Sequence, residues 1–382
     1  MKKRENIREN RGLYPLYLNQ FIRGIAFSFV GIFIPIYLLN LGYSLDSILI
    51  YFLLYHVITF VFTPITLLWS RRIGYKPFII LSMPLVLIFL FLLQSLESIN
   101  ISIYLIAVLG GIENAFYFMP LHAFFTRLSE NQKRGTQFSN YAAIGIIAGL
   151  LGPLIGGAIA VFFGFKYLFY IAMIFILISI FPLINLINVK PNTKLTFKGI
   201  FNLTKKHKRF FIATIADDIK GEIEGIVWPI FIFISLRNII SVGWVSSLAS
   251  LGTIVFTLFI GRHYDRKNKY LFLRLGGLLY GILWLARIYF DEPLFLFAAS
   301  LVAGFFALMI AIPFNAIFYD KAAENNDPDE FIIFRETPKF IGRVFVWSLM
   351  IILVNEFVVA FVLAGLASLF FLFLRLESIK EK

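Results

Sequence analysis

The chain has 382 residues, 59% of them hydrophobic, 18% aromatic and only 15% charged, with a mean hydropathy of +0.84. Soluble domains run nearer half apolar and a quarter charged, so this surplus excludes an ordinary water-soluble fold and calls for lipid as the solvent. The net charge of +13 does not point to nucleic acid, because the cations sit in short segments between apolar runs, and the lack of cysteine excludes disulfides and thiolate metal sites.

The polar N-terminus leads at Leu13 into an apolar run too long for a cleaved signal peptide, so it reads as a retained first span. A hydrocarbon core about 30 Å thick needs roughly 20 apolar residues. Spans are expected near 14–39, 47–69, 77–96, 101–125, 138–163 and 166–187, then 209–236, 242–260, 271–290, 294–318, 338–354 and 357–374. Only Asn355 and Glu356 separate the last two, which leaves a single long hairpin open there. The expected domains are residues 1–188, a basic linker at 189–208 and residues 209–382. If both termini are cytoplasmic, every Lys and Arg lies on or near the inner side except Lys166, Arg237 and Arg287, toward the outside, and Arg23 and Lys220, within spans. That bias predicts an even number of spans.

Gly31-Ile-Phe-Ile-Pro35-Ile-Tyr in the first span matches Gly225-Ile-Val-Trp-Pro229-Ile-Phe in the seventh. The same spacing relates Arg71-Arg72 to Asp265-Arg266 and Gly110 to Gly304, and Pro120 meets Pro313 with a slip of one. A parallel repeat of this length predicts two related six-helix bundles.

After the eighth expected span, Gly261-Arg-His-Tyr-Asp265-Arg266-Lys267-Asn268-Lys269 carries a Gly four residues before an Asp-Arg pair followed by basic residues. After the second, Arg72-Ile73-Gly74-Tyr75-Lys76-Pro77 keeps only the tail, with Leu67 in place of the Gly and Arg71 in place of the Asp. In the fifth span stands Gly149-Leu-Leu-Gly152-Pro153-Leu-Ile-Gly156-Gly157. With these motifs the chain resembles the major facilitator superfamily. The resemblance implies an all-α membrane protein of about twelve spans in two pseudo-symmetric bundles, with the first, fourth, seventh and tenth lining a central cavity. It also makes Arg72, Gly74, Lys76, Gly261, Asp265, Arg266 and Lys269 cytoplasmic gate residues, and the fifth-span motif one common among antiporters. Small residues at three- and four-residue spacing equally serve close helix packing, and a basic loop equally serves topology. For the degenerate first-half loop a different latch is expected, Arg71 with Glu330 or Glu336.

Ionisable groups inside a membrane are costly and each needs a reason. Arg23 falls near the middle of the first span and Glu113 and Asn114 in the middle of the fourth; Asp217, Asp218, Lys220, Glu222 and Glu224 crowd the seventh. Helical spacing puts Asp217, Gly221 and Glu224 on the face expected to meet the cavity, with Lys220 in reach of Asp217 or Glu224. Phe27, Tyr117 and Trp228 are candidate aromatic lining. Glu113 and a seventh-span acid can carry protons, or Arg23 and Glu113 can form a permanent pair that orders the first bundle. Arg287 and Arg343, near expected span ends, are expected to reach the interface.

The expectation is therefore a secondary active transporter in the cell membrane, moving a small organic solute by alternating access, proton-coupled and more suited to efflux than uptake. Its partners are the solute, protons and the bilayer, with no nucleic acid, cofactor or metal, and the chain is expected to be monomeric and not an enzyme. A lipid-modifying enzyme built on Asp217, Asp218 and Lys220, or a non-transporting receptor or assembly protein on the same fold, are the alternatives.

Overall fold

The computed structural model describes residues 13–128, 134–191, 197–259, 269–325, 328–354 and 356–374. Among them every regular element is helical, the arrangement in which each segment satisfies its own backbone groups inside lipid. The first span is split into α1 (Tyr14–Val30) and α2 (Phe33–Asn40). Then come α3 (Leu45–Ile73), α4 (Lys76–Gln94), α5 (Ile103–Leu128), α6 (Arg134–Phe162) and α7 (Phe165–Ile184). A short helix, α8 (Phe197–Lys206), lies within the basic linker, where sequence reading placed no element. The seventh span runs as α9 (Lys208–Glu222), a π-helical stretch (Ile223–Val227) and α10 (Trp228–Leu236). It is followed by α11 (Ile239–Phe259), α12 (Lys269–Ala286), α13 (Pro293–Glu324), α14 (Pro328–Ile352) and α15 (Phe357–Leu369).

Among the described residues seven helices are long and apolar enough to cross a membrane, and three shorter apolar ones, Ile147–Phe162, Tyr270–Ala286 and Phe357–Leu372, accompany them. The seventh and eleventh expected spans are broken or charged, and their charges pair within the protein, as described below. α14 starts at Pro328 rather than near Pro338. The stretch before Pro338 is charged, and within the structure Arg335 bonds Asn315 and Glu336 pairs with Lys339. α14 and α15 are separate helices.

The split in the first span and the widened turn in the seventh have one cause. Proline has no N–H, so Pro35 and Pro229 leave the carbonyls of Gly31 and Gly225, four residues earlier, without their helical donors. The helix breaks at Gly31-Ile32 in one copy and swells into a π turn centred on Gly225 in the other.

The helices form two compact units, Met1–Lys194 with Pro229–Ser250, and Leu195–Trp228 with Leu251–Lys382. In the first, α1 packs on α6 and α7, and α4 on α5 and α7; in the second, α9 packs on α14 and α15, and α12 on α13 and α15. These are the same span pairings in the two halves. A pair of matching hydrogen bonds supports the repeat: Thr59 Oγ1 donates to the Gly111 carbonyl and Thr253 Oγ1 to the Gly304 carbonyl, each at 3.2 Å. The repeat register thus slips by one before the fourth span, pairing Gly304 with Gly111 rather than with Gly110.

The glycine stripe of α6 is a packing surface within the first unit. A Cβ on Gly152 would meet Ser28, one on Gly156 the Phe29 backbone, and one on Gly149 the Ser250 hydroxyl at 2.9 Å. From the other side, a Cβ on Gly243 of α11 would come within 2.6 Å of the Pro153 carbonyl, and Gly157 faces Phe33, Ile239 and Ile240. Small residues let these backbones approach, which is how helices associate where lipid removes the hydrophobic driving force.

The loop after the second span is clasped to the end of the sixth. Gly74 takes φ +92° and ends α3. The Asn188 side chain donates to the Ile73 carbonyl at 2.7 Å and accepts from the Lys76 N–H at 3.2 Å, and Lys76 Nζ bonds the Ile184 carbonyl at 2.8 Å. Tyr75 N–H completes the clasp on the Val189 carbonyl at 2.9 Å. Any side chain at Gly74 would collide with the Asn188 amide.

Candidate functional site

Within the first unit the polar centre is built by α1 and α5. Arg23 Nη2 donates to Glu113 Oε1 at 2.8 Å, and both side chains are only 4% exposed. The guanidinium lies 3.8 Å from the Tyr117 ring centroid and 4.5 Å from that of Phe27, one helical turn along α1. Aromatic faces are among the few partners that suit a cation held away from water. Tyr117 O–H reaches the amide oxygens of Asn19 and Gln20, each at 2.8 Å, and Asn19 donates in turn to the Ser179 carbonyl of α7 at 2.8 Å. Arg23 Nη1 is buried with no hydrogen-bond partner among the described residues. Asn114 turns to α3, where its amide lies 3.4 Å from Thr59 Oγ1.

The second unit holds two charged clusters. In one, Lys220 Nζ pairs with Asp217 at 2.7 Å, one turn away on α9. Arg343 of α14 reaches both oxygens of Asp218, at 3.0 and 3.2 Å, and Glu222 at 3.1 Å. These five groups border a cavity of about 400 Å³, into which Gly221, Ala307 and Ala311 add no bulk. Three carboxylates against two cations leave this wall with one negative charge in excess when all are ionised.

In the other cluster Glu224 is held by Arg287 through both oxygens, at 2.8 and 3.4 Å, and by the Tyr280 hydroxyl at 2.7 Å. The Arg287 guanidinium sits 3.9 Å from the Trp228 ring and 4.2 Å from that of Trp284, and Trp228 Nε1 donates to Ser300 at 3.2 Å. The motif repeats that of the first unit, an arginine between two aromatic rings holding a glutamate, although Glu224 is half-buried where Glu113 is buried.

The residues singled out by sequence thus fall into different places. Arg23, Phe27, Glu113 and Tyr117 converge. Asp217 lines the cavity with Gly221, whereas Glu224, on the far side of the start of the π turn, does not line it. Trp228 is fully buried against Arg287, Trp284 and Phe361. Arg287 and Arg343 are corrected: Arg287 is 1% exposed and ion-paired, and Arg343 bridges two acids instead of reaching the interface. Sequence reading missed their pairings, as well as Tyr280. The usable signal was that acids in mid-span need cations, and these were the arginines left over. Arg72 is exposed, and Gly74 and Lys76 belong to the Asn188 clasp. Gly261, Asp265 and Arg266 lie outside the described residues, and so does the Lys269 side chain. Among the described residues no three His, Asp or Glu side chains converge on a metal position.

Comparison with known proteins adds to this geometry. The human organic anion transporter MFSD10 (TETRAN) has a similar fold, with a TM-score of 0.69 over 96% of this chain and 99% of that one at 14% identity. Among curated proteins, the multidrug resistance protein MdtG of Rahnella sp. (strain Y9602) is 27% identical over 212 residues, 52% of this chain and 50% of that protein. MdtG of Proteus mirabilis (strain HI4320) is 26% identical over 260 residues, 64% and 62% of the two chains, and MdtG of Salmonella paratyphi A is 31% identical over 170 residues, 42% and 41%. The chain spans about half the length of the curated relatives it matches. The sequence model of the Major Facilitator Superfamily matches residues 16–216, more than half of the chain. Duplicated helices, buried ion pairs and this match agree: the chain is a multi-pass membrane protein and belongs to the Major Facilitator Superfamily of transporters.

Proposed function

We propose that this protein is a proton-coupled exporter of small amphipathic organic molecules, working by alternating access in the cell membrane with both termini in the cytoplasm. The observation that carries this reading is the charged cavity of the second unit, where Asp217, Asp218 and Glu222 face Lys220 and Arg343 beneath small residues that leave about 400 Å³ open. A space of that size suits a drug-sized molecule. Its excess of acid favours cationic or neutral solutes over organic anions, in line with relatives named for multidrug resistance rather than with the anion transporter that shares the fold. In the same reading Glu113 is the proton carrier. Arg23 can hold it as carboxylate, and protonation would release the guanidinium, whose Nη1 already lacks a partner among the described residues. Residues 1–188 and 209–382 act as the two halves, joined by the linker at 189–208.

The test is transport in proteoliposomes under an imposed pH gradient, with a panel of fluorescent amphipathic cations and anions. The expected result is cation movement that collapses when a protonophore is added and falls at least tenfold in Glu113→Gln. Movement that ignores the pH gradient would overturn proton coupling, and a panel in which only anions move would overturn the substrate class.

A further inference from the structure

The linker between the two halves contains a feature that the transport reading does not use. α8 is amphipathic: Leu203 is buried and Ile200 half-buried, while Lys198, Asn202, Lys205 and Lys206 are exposed. Where α8 meets α9, Lys205, Lys206, Lys208 and Arg209 join Lys321, at the end of α13, around a cleft of about 230 Å³, with His207 and Phe210 between them. Among the described residues no carboxylate lines this cleft, and Lys206 and Lys208 form no ion pair. Like charges crowded together repel, so the fold holds them in place. Phe210 stacks on Phe314 at 5.3 Å and Phe318 at 6.2 Å, and the His207 ring meets Phe331 edge-on at 5.6 Å, which makes a rigid aromatic floor. A rigid concave surface lined by five cations, with no carboxylate among its described lining residues, is complementary to phosphate oxygens.

The surroundings select the source of that phosphate. The cleft lies at the start of the seventh expected span, where such a span is expected to meet the membrane surface. Ile212, one turn beyond Lys208, is exposed and apolar. Phe201 on α8 is 56% exposed, with Lys205 Nζ 4.5 Å from its ring centroid. An anion from solution would gain nothing from these apolar groups, whereas a lipid places its phosphate among the lysines and its acyl chains beside Ile212. We propose that the α8–α9 junction is a binding site for an anionic phospholipid, with α8 lying in the membrane surface. The proposal stands on the linker and not on the transport reading, and it holds whatever the solute.

The test uses the full-length protein in detergent, with thermal melting followed as phosphatidylglycerol is added, against phosphatidylcholine and inorganic phosphate as separate arms. Phosphatidylglycerol is expected to raise the melting temperature in a saturable way, and the other two to leave it unchanged. In the combined variant Lys205→Gln, Lys206→Gln, Lys208→Gln the apparent affinity for phosphatidylglycerol should fall by about fivefold per cation removed, on the order of a hundredfold in all. The control Lys190→Gln, Lys198→Gln removes two linker charges outside the cleft and should bind as the native chain does. Equal binding by the triple variant, or equal loss in the control, would overturn the site, and protection by inorganic phosphate alone would overturn the lipid. If the triple variant melts early without lipid, Lys321→Gln, on a different helix, serves as the second test; an affinity unchanged there counts equally against the site.

Discussion

At the level of single residues, the buried ion pairs determine what can be changed. Arg23 and Glu113 pair away from water, so removing one strands the other. Glu113→Met should therefore cost about 3–5 kcal/mol and visibly lower the melting temperature, while the double variant Arg23→Met, Glu113→Met recovers most of that loss and does not recover transport. The double variant is what separates stability from function. Arg343 serves two acids at once, so Arg343→Gln should be among the most damaging single changes in the second unit. Lys339→Gln, which breaks a partly exposed pair one helical turn apart, should cost only about 0.3–0.5 kcal/mol. Thermal unfolding of the two variants side by side checks the ranking. The contrast also explains what the sequence made legible. Lys220 and Asp217 pair over one helical turn, and spacing alone put them in reach of each other. Arg287 with Glu224, and Arg343 with Asp218 and Glu222, join different helices, and no local pattern encodes such a match.

At the level of helices, proline and glycine fix the irregularities. Replacing Pro229 with Ala returns an N–H to the seventh span and should draw the π turn at Ile223–Val227 back toward a regular helix. Pro35→Ala should do the same for the break at Gly31-Ile32. Amide hydrogen exchange at Gly31 and Gly225 and their neighbours checks this, with slower exchange expected in both variants. Gly243→Val would push a side chain into the Pro153 backbone and should destabilise by about 1–3 kcal/mol, more than the same change at Gly145, where a Cβ meets nothing within 4 Å. Apolar spans were readable because each one needs about the same length to cross the bilayer. α8 was not, since ten residues are too short and too polar on average to register as a span, and docking on α9 and α14 helps hold so short a helix. The start of α14 was hidden for a related reason: Arg335 bonds Asn315 and Glu336 pairs with Lys339, partners that a hydropathy reading does not see.

For the molecule as a whole, the distribution of Lys and Arg predicts orientation, and the absence of cysteine makes that prediction easy to check. A lone cysteine at Lys166 should react with a membrane-impermeant maleimide in intact cells, and one at Lys198 only after the membrane is opened. The reverse pattern would invert the topology. The internal duplication was legible in Gly31 to Pro35 and Gly225 to Pro229, and the Thr59 and Thr253 hydrogen bonds correct its register by one residue further along.

The knot that Asn188 ties around residues 73–76 has a mechanical meaning. A turn between two long rods is ordinarily where a bundle bends. Here the backbone on both sides of that turn is bolted to the tail of α7, with the asparagine amide filling the space a side chain at position 74 would need. The ends of α3, α4 and α7 on that side must therefore travel as one block, and whatever bending this unit undergoes has to happen elsewhere along its helices.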